Sequence, residues 1–189
     1  MRKRKMKSRI GKIRVLVSII ALVVLMGACG KTAAGDEQGK VFVVSGYDIE
    51  ITCPSGWKQI DTPNFDLKCI NRNDTVNMNV FAFMQEELGE DYSAESLFTD
   101  QNQDLIAKRD NVMVLEEETV TESEGRVLYS TLFSADRDGS TNIYYINQVY
   151  FPNSGHIAYI LFNGIPSEIK RNRDTLDKIL MTVKVISQG

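Results

Sequence analysis

Asp138-Gly139-Ser140-Thr141-Asn142-Ile143-Tyr144-Tyr145-Ile146-Asn147-Gln148-Val149-Tyr150-Phe151 is the stretch on which the fold turns. Asp-Gly is a strong two-residue hairpin signal, because both positions tolerate the positive φ that a type I′ turn needs. The run after it is apolar on both parities. Ile143, Tyr145, Val149 and Phe151 fall on one, and Tyr144, Ile146 and Tyr150 on the other. Successive side chains of a strand leave on opposite faces, so a strand apolar on both is covered on both. The stretch predicts a central antiparallel strand with packed layers above and below.

Working outward, strands are expected at 125–135 and 112–121 before the turn and at 156–163 after it. Further upstream, strands are expected at 41–45, 47–53, 64–70 and 75–85, with Asn71-Arg72-Asn73-Asp74 as a turn. Pro54-Ser55-Gly56 breaks the ladder before Trp57. Ser93 is a good helix N-cap, with Glu95 placed for the dipole in the first turn. That helix is expected to run to Arg109 and to bury Ala94, Leu97, Phe98, Leu105 and Ile106. Pro166-Ser167 opens a last helix, in which Ser167 reads as a cap. Its inward stripe is Ile169, Leu176, Ile179, Leu180 and Val183, and its outer face Lys170, Arg171, Arg173 and Lys178. Strands, helix, four antiparallel strands, helix: this is an α+β fold, an antiparallel sheet with helices packed on it.

The pattern resembles the PsbP-like superfamily over residues 45–185. The resemblance rests on the strand running into Pro54-Ser55-Gly56-Trp57, the helix near 93–109, the four-strand meander, and the C-terminal helix with Leu176, Ile179 and Leu180. That superfamily takes in the extrinsic PsbP subunit of photosystem II, a Ran-binding import factor and many small bacterial lipoproteins. The resemblance implies an αβα sandwich and a non-catalytic docking or accessory role. It carries no photosynthetic or Ran-binding site onto particular residues here.

The first 28 residues have a different character. Arg2, Lys3, Arg4, Lys5, Lys7, Arg9, Lys12 and Arg14 come without an acid, and an apolar stretch from Val15 to Ala28 follows, broken only by Ser18. That stretch covers about 21 Å as a helix, short of a bilayer core of about 30 Å. A basic start, a short apolar run and small residues at its end read as a signal peptide. Leu25-Met26-Gly27-Ala28-Cys29 resembles the lipobox of bacterial lipoproteins, with Met26 where Leu is favoured. The resemblance implies cleavage before Cys29, a diacylglycerol thioether on its sulfur and a stable hold on the extracytoplasmic face of the cell membrane. Residues 29–40 then read as a lipidated N-terminus and flexible tether, and 41–189 as a single domain.

The formal charge of −3 conceals a strong asymmetry. All eight basic residues of the signal lie before Cys29, so residues 29–189 hold 14 Lys+Arg against 25 Asp+Glu, a formal charge of −11. Such a domain is repelled by nucleic acid and anionic lipid, which excludes nucleic acid as a partner. With Cys29 assigned to lipid, Cys53 and Cys69 remain as a pair. Strand parity places Cys53 with Ile49 and Ile51, and Cys69 with Phe65 and Leu67. Both are expected on one sheet face, where neighbouring strands would allow a disulfide stabilising by about 3 kcal/mol.

Catalytic and metal motifs are thin. His156, the only histidine, begins a strand, and no G-x-S-x-G elbow accompanies it. Ser167-Glu168-Ile169-Lys170 matches S-x-x-K without S-D-N or K-T-G. Asp136-Arg137-Asp138-Gly139 fails as a calcium loop, since Tyr145 stands where the bidentate Glu belongs. No ligand set at zinc spacing is present. The sequence therefore points to no metal and no cofactor. Two binding candidates remain: Trp57 as a ligand platform, and Glu116-Glu117-Glu118 as an acidic docking patch. The expected function is an anchored, non-catalytic accessory lipoprotein that binds an envelope protein or a small ligand. The alternative is a cell-wall-directed hydrolase or transferase acting through Ser167 and Lys170 or through a carboxylate pair among the acids.

Overall fold

The computed structural model describes residues 39–89 and 91–186. The expected signal segment 1–28, Cys29 and the expected tether up to residue 38 lie outside them. The described chain forms β1 (Lys40–Val44), β2 (Ile49–Cys53), β3 (Lys58–Gln59), β4 (Leu67–Ile70), β5 (Val76–Met84), α1 (Ala94–Ala107), β6 (Asp110–Ser123), β7 (Arg126–Arg137), β8 (Ser140–Phe151), β9 (His156–Gly164), α2 (Pro166–Met181) and β10 (Lys184–Val185). A short 3-10 turn at Gln85–Glu87 follows β5.

These strands build two antiparallel sheets. Seven strands run in the order β3-β4-β5-β9-β8-β7-β6, and three in the order β1-β2-β10. The β7–β8 hairpin turns at Asp138 and Gly139, with φ of 52° and 76°, the backbone that the Asp-Gly pair predicts. Residues Ile143 to Val149 of β8 are all buried, as a strand covered on both faces requires. One face of the large sheet packs against α2 and the small sheet, through Phe42, Ile49, Ile51, Met78, Phe162, Leu176 and their neighbours. The other packs against α1 through Leu97, Phe98, Phe133, Tyr144, Ile146 and Tyr159. The fold is α+β, as the element pattern implies, but a small sheet shares one layer with α2.

That second sheet alters the reading of the cysteines. Cys53 ends β2 of the small sheet, and Cys69 lies in β4 of the large one. They do not share a sheet face; they belong to one core layer between the sheets. Both are free, buried thiols, so the expected bridge is not formed in this structure. Parity establishes that both side chains point inward, but it cannot say that two sheets are involved. The small sheet closes through β10, which pairs with β2 at Lys184↔Glu50 and Val185↔Ile49. The Thr182 hydroxyl reinforces this join, accepting from the Thr52 N–H at 2.9 Å and donating to the Thr52 carbonyl at 3.0 Å.

Ser93 caps α1 as expected, its hydroxyl accepting from the Ser96 N–H at 3.0 Å. At α2 the cap is Ile165, with Pro166 in the first turn, so Ser167 is not a cap. Arg173 also departs from its expected outer face. Its guanidinium lies 3.9 Å from the centre of the Tyr145 ring and bonds both oxygens of Glu116 on β6.

Candidate functional site

The sequence candidates resolve into structural roles. Trp57 is only 5% exposed and belongs to the core, so it offers no face to a ligand. The acidic run does not form one patch. Register shifts in the β6–β7 ladder fall between Val114 and Glu116 and between Glu116 and Thr119. Each extra residue changes which face a side chain takes. Glu116 turns to the α2 side and is held by Arg173 at 2.9 Å. Burial, with Glu95 of α1 nearby, raises the Glu118 carboxyl above its usual pKa. Glu117 is exposed on the strand. No hydrogen bond joins Ser167 to Lys170 among the described residues, and both side chains are exposed. His156 contacts Ser154 at 3.0 Å, a local pairing at the strand start.

The residues that the fold does bring together lie elsewhere, on the α1 face of the large sheet. Directly opposed residues of neighbouring strands share a face. Lys68 of β4 stands opposite Asn79 of β5, and Asn79 opposite Leu161 of β9. One row over, Asn77 stands opposite Asn163, which stands opposite Tyr144 of β8. Helix α1 packs on the β7–β8–β9 side of this face. Beside it the sheet carries lysine and asparagine in place of apolar residues. Between that polar floor and α1 lies a cleft of about 480 Å³, within the range of small-molecule sites.

The floor is ordered by its own contacts. Asn79 is 4% exposed and donates through Nδ2 to Asn163 Oδ1 at 2.9 Å. Burying amides costs about 1–3 kcal/mol wherever a partner is missing, and asparagine is a poor strand residue. Three of them on adjacent strands are not what sheet stability alone would select. One wall is aromatic: Phe65 and Phe81 meet at 5.0 Å between ring centres, and Phe81 and Tyr159 at 6.4 Å. Tyr159 is fixed from behind by its hydroxyl, which donates to Asn102 of α1 at 2.9 Å. At the far end Arg109 donates through Nε to the Tyr144 hydroxyl at 3.0 Å and lies 5.3 Å from the centre of that ring.

The charge of the lining runs against that of the domain. Lys68, Lys108, Arg109 and Arg137 line the cleft, and Asp104 is its one carboxylate among the described residues. Residues 29–189 carry nearly twice as many acids as bases, so this concentration of cations marks a local positive field. Asp104 pairs with Lys108 at 3.2 Å, and Asp138 with Arg137 at 3.4 Å. Lys68 has no ion-pair partner among the described residues and is half-buried. The sequence holds one trace of this site: Asn77-x-Asn79 inside a strand, with both amides on the same parity. Asn163 and Lys68 reach it only through strand pairing, and Arg109 only through the turn that follows α1.

The arrangement of layers is shared with known structures. Cyanobacterial PsbP from Synechocystis sp. PCC 6803 superposes with a TM-score of 0.59 at 14% identity, over 85% of this chain and 99% of that one. The chain has the PsbP-like fold. The Ran-binding protein Mog1p of Saccharomyces cerevisiae gives 0.57 at 10% identity, over 80% of this chain and 97% of that one. LpqN of Mycobacterium tuberculosis, a protein involved in cell envelope biogenesis, gives 0.59 at 10% identity, over 79% of this chain and 91% of that one. No family profile matches the chain, and no curated protein matches it in sequence. At these identities the likeness concerns the PsbP-like fold, and the cleft is argued from its own residues.

Proposed function

We propose that this protein is a lipoprotein held at the extracytoplasmic face of the cell membrane through Cys29, and that its PsbP-like domain is a non-catalytic binding module. The observation that carries the reading is the cleft, with a cationic, amide-floored lining in an acidic domain. An anionic small ligand would find there a local attraction that the rest of an acidic domain opposes. A flexible tether of about ten residues would reach only about 17 Å and so hold the domain near the membrane. LpqN offers a parallel in the same fold, a protein of envelope biogenesis.

Two measurements test this. Membrane fractionation should find the protein with the membrane and a Cys29→Ala variant uncleaved or released; a processed, unlipidated chain that stays on the membrane contradicts the anchor. Thermal shift against a panel of small carboxylates, phosphates and neutral sugars should reveal a ligand whose stabilisation grows with concentration. Lys68→Glu should abolish that shift. A panel without effect, or a shift untouched by Lys68→Glu, removes the cleft from the function.

One observation favours a protein partner as a second reading. The edge strand β6 exposes Met113, Val114, Leu115 and Val120, each more than 40% accessible. An exposed apolar edge suits strand addition by another chain. Cross-linked co-purification from membranes, with Val114→Lys as the control, tests it.

A further inference from the structure

The chemistry of the cleft wall narrows the class of ligand, and this step rests on the reading of the cleft as a binding site. We propose that it binds a sugar carrying a carboxylate or a phosphate. Three features must be satisfied together. The first is the floor. Each asparagine amide offers donors and an acceptor on one rigid plane. With Asn79 donating to Asn163, the Asn163 amide protons and the Asn77 amide stay available above the sheet. A row of paired donors and acceptors matches vicinal hydroxyls, which both give and take hydrogen bonds. A bare anion takes only donors and would leave the amide oxygens without partners.

The second feature is the cations. Lys68 on β4 and Arg109, just beyond α1 and bonded to Tyr144 of β8, flank the amide floor from opposite sides, since the paired strands β5 and β9 lie between β4 and β8. A neutral sugar would desolvate the half-buried Lys68 without compensating its charge, which is costly. A carboxylate or phosphate compensates it through charge-assisted hydrogen bonds. The third is the apolar wall. Phe65, Phe81 and Leu105 present a short hydrophobic surface beside the floor. Aromatic rings of this kind pack against the C–H face of a sugar ring, and the polar floor beside them interrupts the continuous apolar length that an acyl chain needs. One unit therefore meets all three: C–H face on the aromatic wall, hydroxyls on the amides, acid group on Lys68 or Arg109.

The test is calorimetric titration of the full-length protein in detergent with four probes: glucuronate, glucose 6-phosphate, glucose and inorganic phosphate. Glucuronate or glucose 6-phosphate is expected to bind at least about tenfold more tightly than glucose and inorganic phosphate. Lys68→Ala and Asn77→Ala are each expected to lower that affinity about tenfold, while Lys178→Ala on the exposed side of α2 leaves it unchanged. Lys68→Gln keeps the aliphatic stem and guards against a loss of folding in the alanine variant. Inorganic phosphate binding as tightly as glucose 6-phosphate, with no better binding of glucuronate, overturns the sugar class. So does glucose binding as tightly as the acid sugars. If phosphate alone binds and Lys68→Gln removes it, the cleft stands as a binding site and only the sugar assignment fails. If none of the four binds, the sugar assignment fails, and the wider ligand panel decides on the cleft itself.

Discussion

Arg173 and Glu116 meet as a bidentate pair, with both guanidinium–carboxylate contacts at 2.9 Å. They join the middle of α2 to the edge strand β6, 57 residues apart in sequence. Asp177 accepts from the same guanidinium at 3.1 Å and from the Tyr145 hydroxyl at 2.7 Å. Fork geometry and ring stacking are what arginine supplies and lysine does not. Arg173→Lys is therefore expected to lower stability by about 1 kcal/mol, and Arg173→Ala by about 2, since the stem's packing goes too. Urea unfolding of both variants checks this. Glu116→Gln should cost less than either, because Glu116 is half-exposed. An Arg173→Lys variant as stable as the parent would refute the role of the fork.

Gly164 ends β9 where the ladder meets β5 and β8, opposite Val76 and Ile143. A Cβ there would run into the carbonyl oxygen of Thr75, with Ile169 of α2 close behind. The obstacle is backbone, which cannot rotate away. Gly164→Ala is expected to destabilise by about 2 kcal/mol or more. Gly139→Ala, with open space around it but a φ of 76°, should cost about 1 kcal/mol through strain alone. Thermal melts of the two variants give the comparison, and equal melting temperatures would contradict the steric account.

Trp57 packs in the core beside the break at Pro54. Its fluorescence should be blue-shifted in the native protein and move red on unfolding. Ligands of the α1 cleft should leave it unchanged, because the indole belongs to the core layer on the opposite face of the sheet. Trp57→Ala is expected to cost about 3–5 kcal/mol. Quenching of Trp57 by a cleft ligand would show that it is a binding platform after all.

Burial pushes the Cys69 thiol up to about 12, with Lys40 pulling the other way. Burial, with Cys69 nearby, raises Cys53 further still. An unfolded thiol titrates at about 8.5. Below that value both states hold the proton and the contribution of these thiols to stability is complete. Above it the unfolded state releases the proton first, so stability falls as pH rises from about 8.5 through 12. In the reduced protein, the urea midpoint should drop more between pH 8 and 10 than it does in Cys53→Ala/Cys69→Ala. At pH 8 a maleimide should label neither thiol in the reduced native protein and both on unfolding. Rapid native labelling would mean that the layer between the sheets opens readily.

Local chemistry makes much of the architecture legible. Asp138-Gly139 specifies its hairpin because only a few residue types accept two positive φ values. The double apolar parity of β8 requires cover on both faces, and α1 and α2 supply it. Ser93 announces α1 through its cap. Local reading fails where the outcome depends on a partner distant in sequence. Arg173 looks solvent-facing by helical period, yet it folds onto Tyr145 and Glu116. The run Glu116-Glu117-Glu118 looks like one patch, yet bulges in the β6–β7 ladder part it. The strand of two residues at Lys184–Val185 has no periodicity to detect, so nothing local announces the small sheet.

The sequence by itself determined the class of fold, the hairpins, the two helices and which faces are apolar, because φ preferences, caps and side-chain periods act within a few residues. Tertiary structure alone decided that Cys53 and Cys69 come from different sheets. It alone decided that Lys68, Asn79, Asn163 and Arg109 form one cleft. Those residues are spread over nearly a hundred positions and share no local motif. Lys68 and the amides meet because β4, β5 and β9 pair in one register, and a shift of a single residue would send each amide to the opposite face. Arg109 joins them because α1 packs on that face and delivers it to Tyr144.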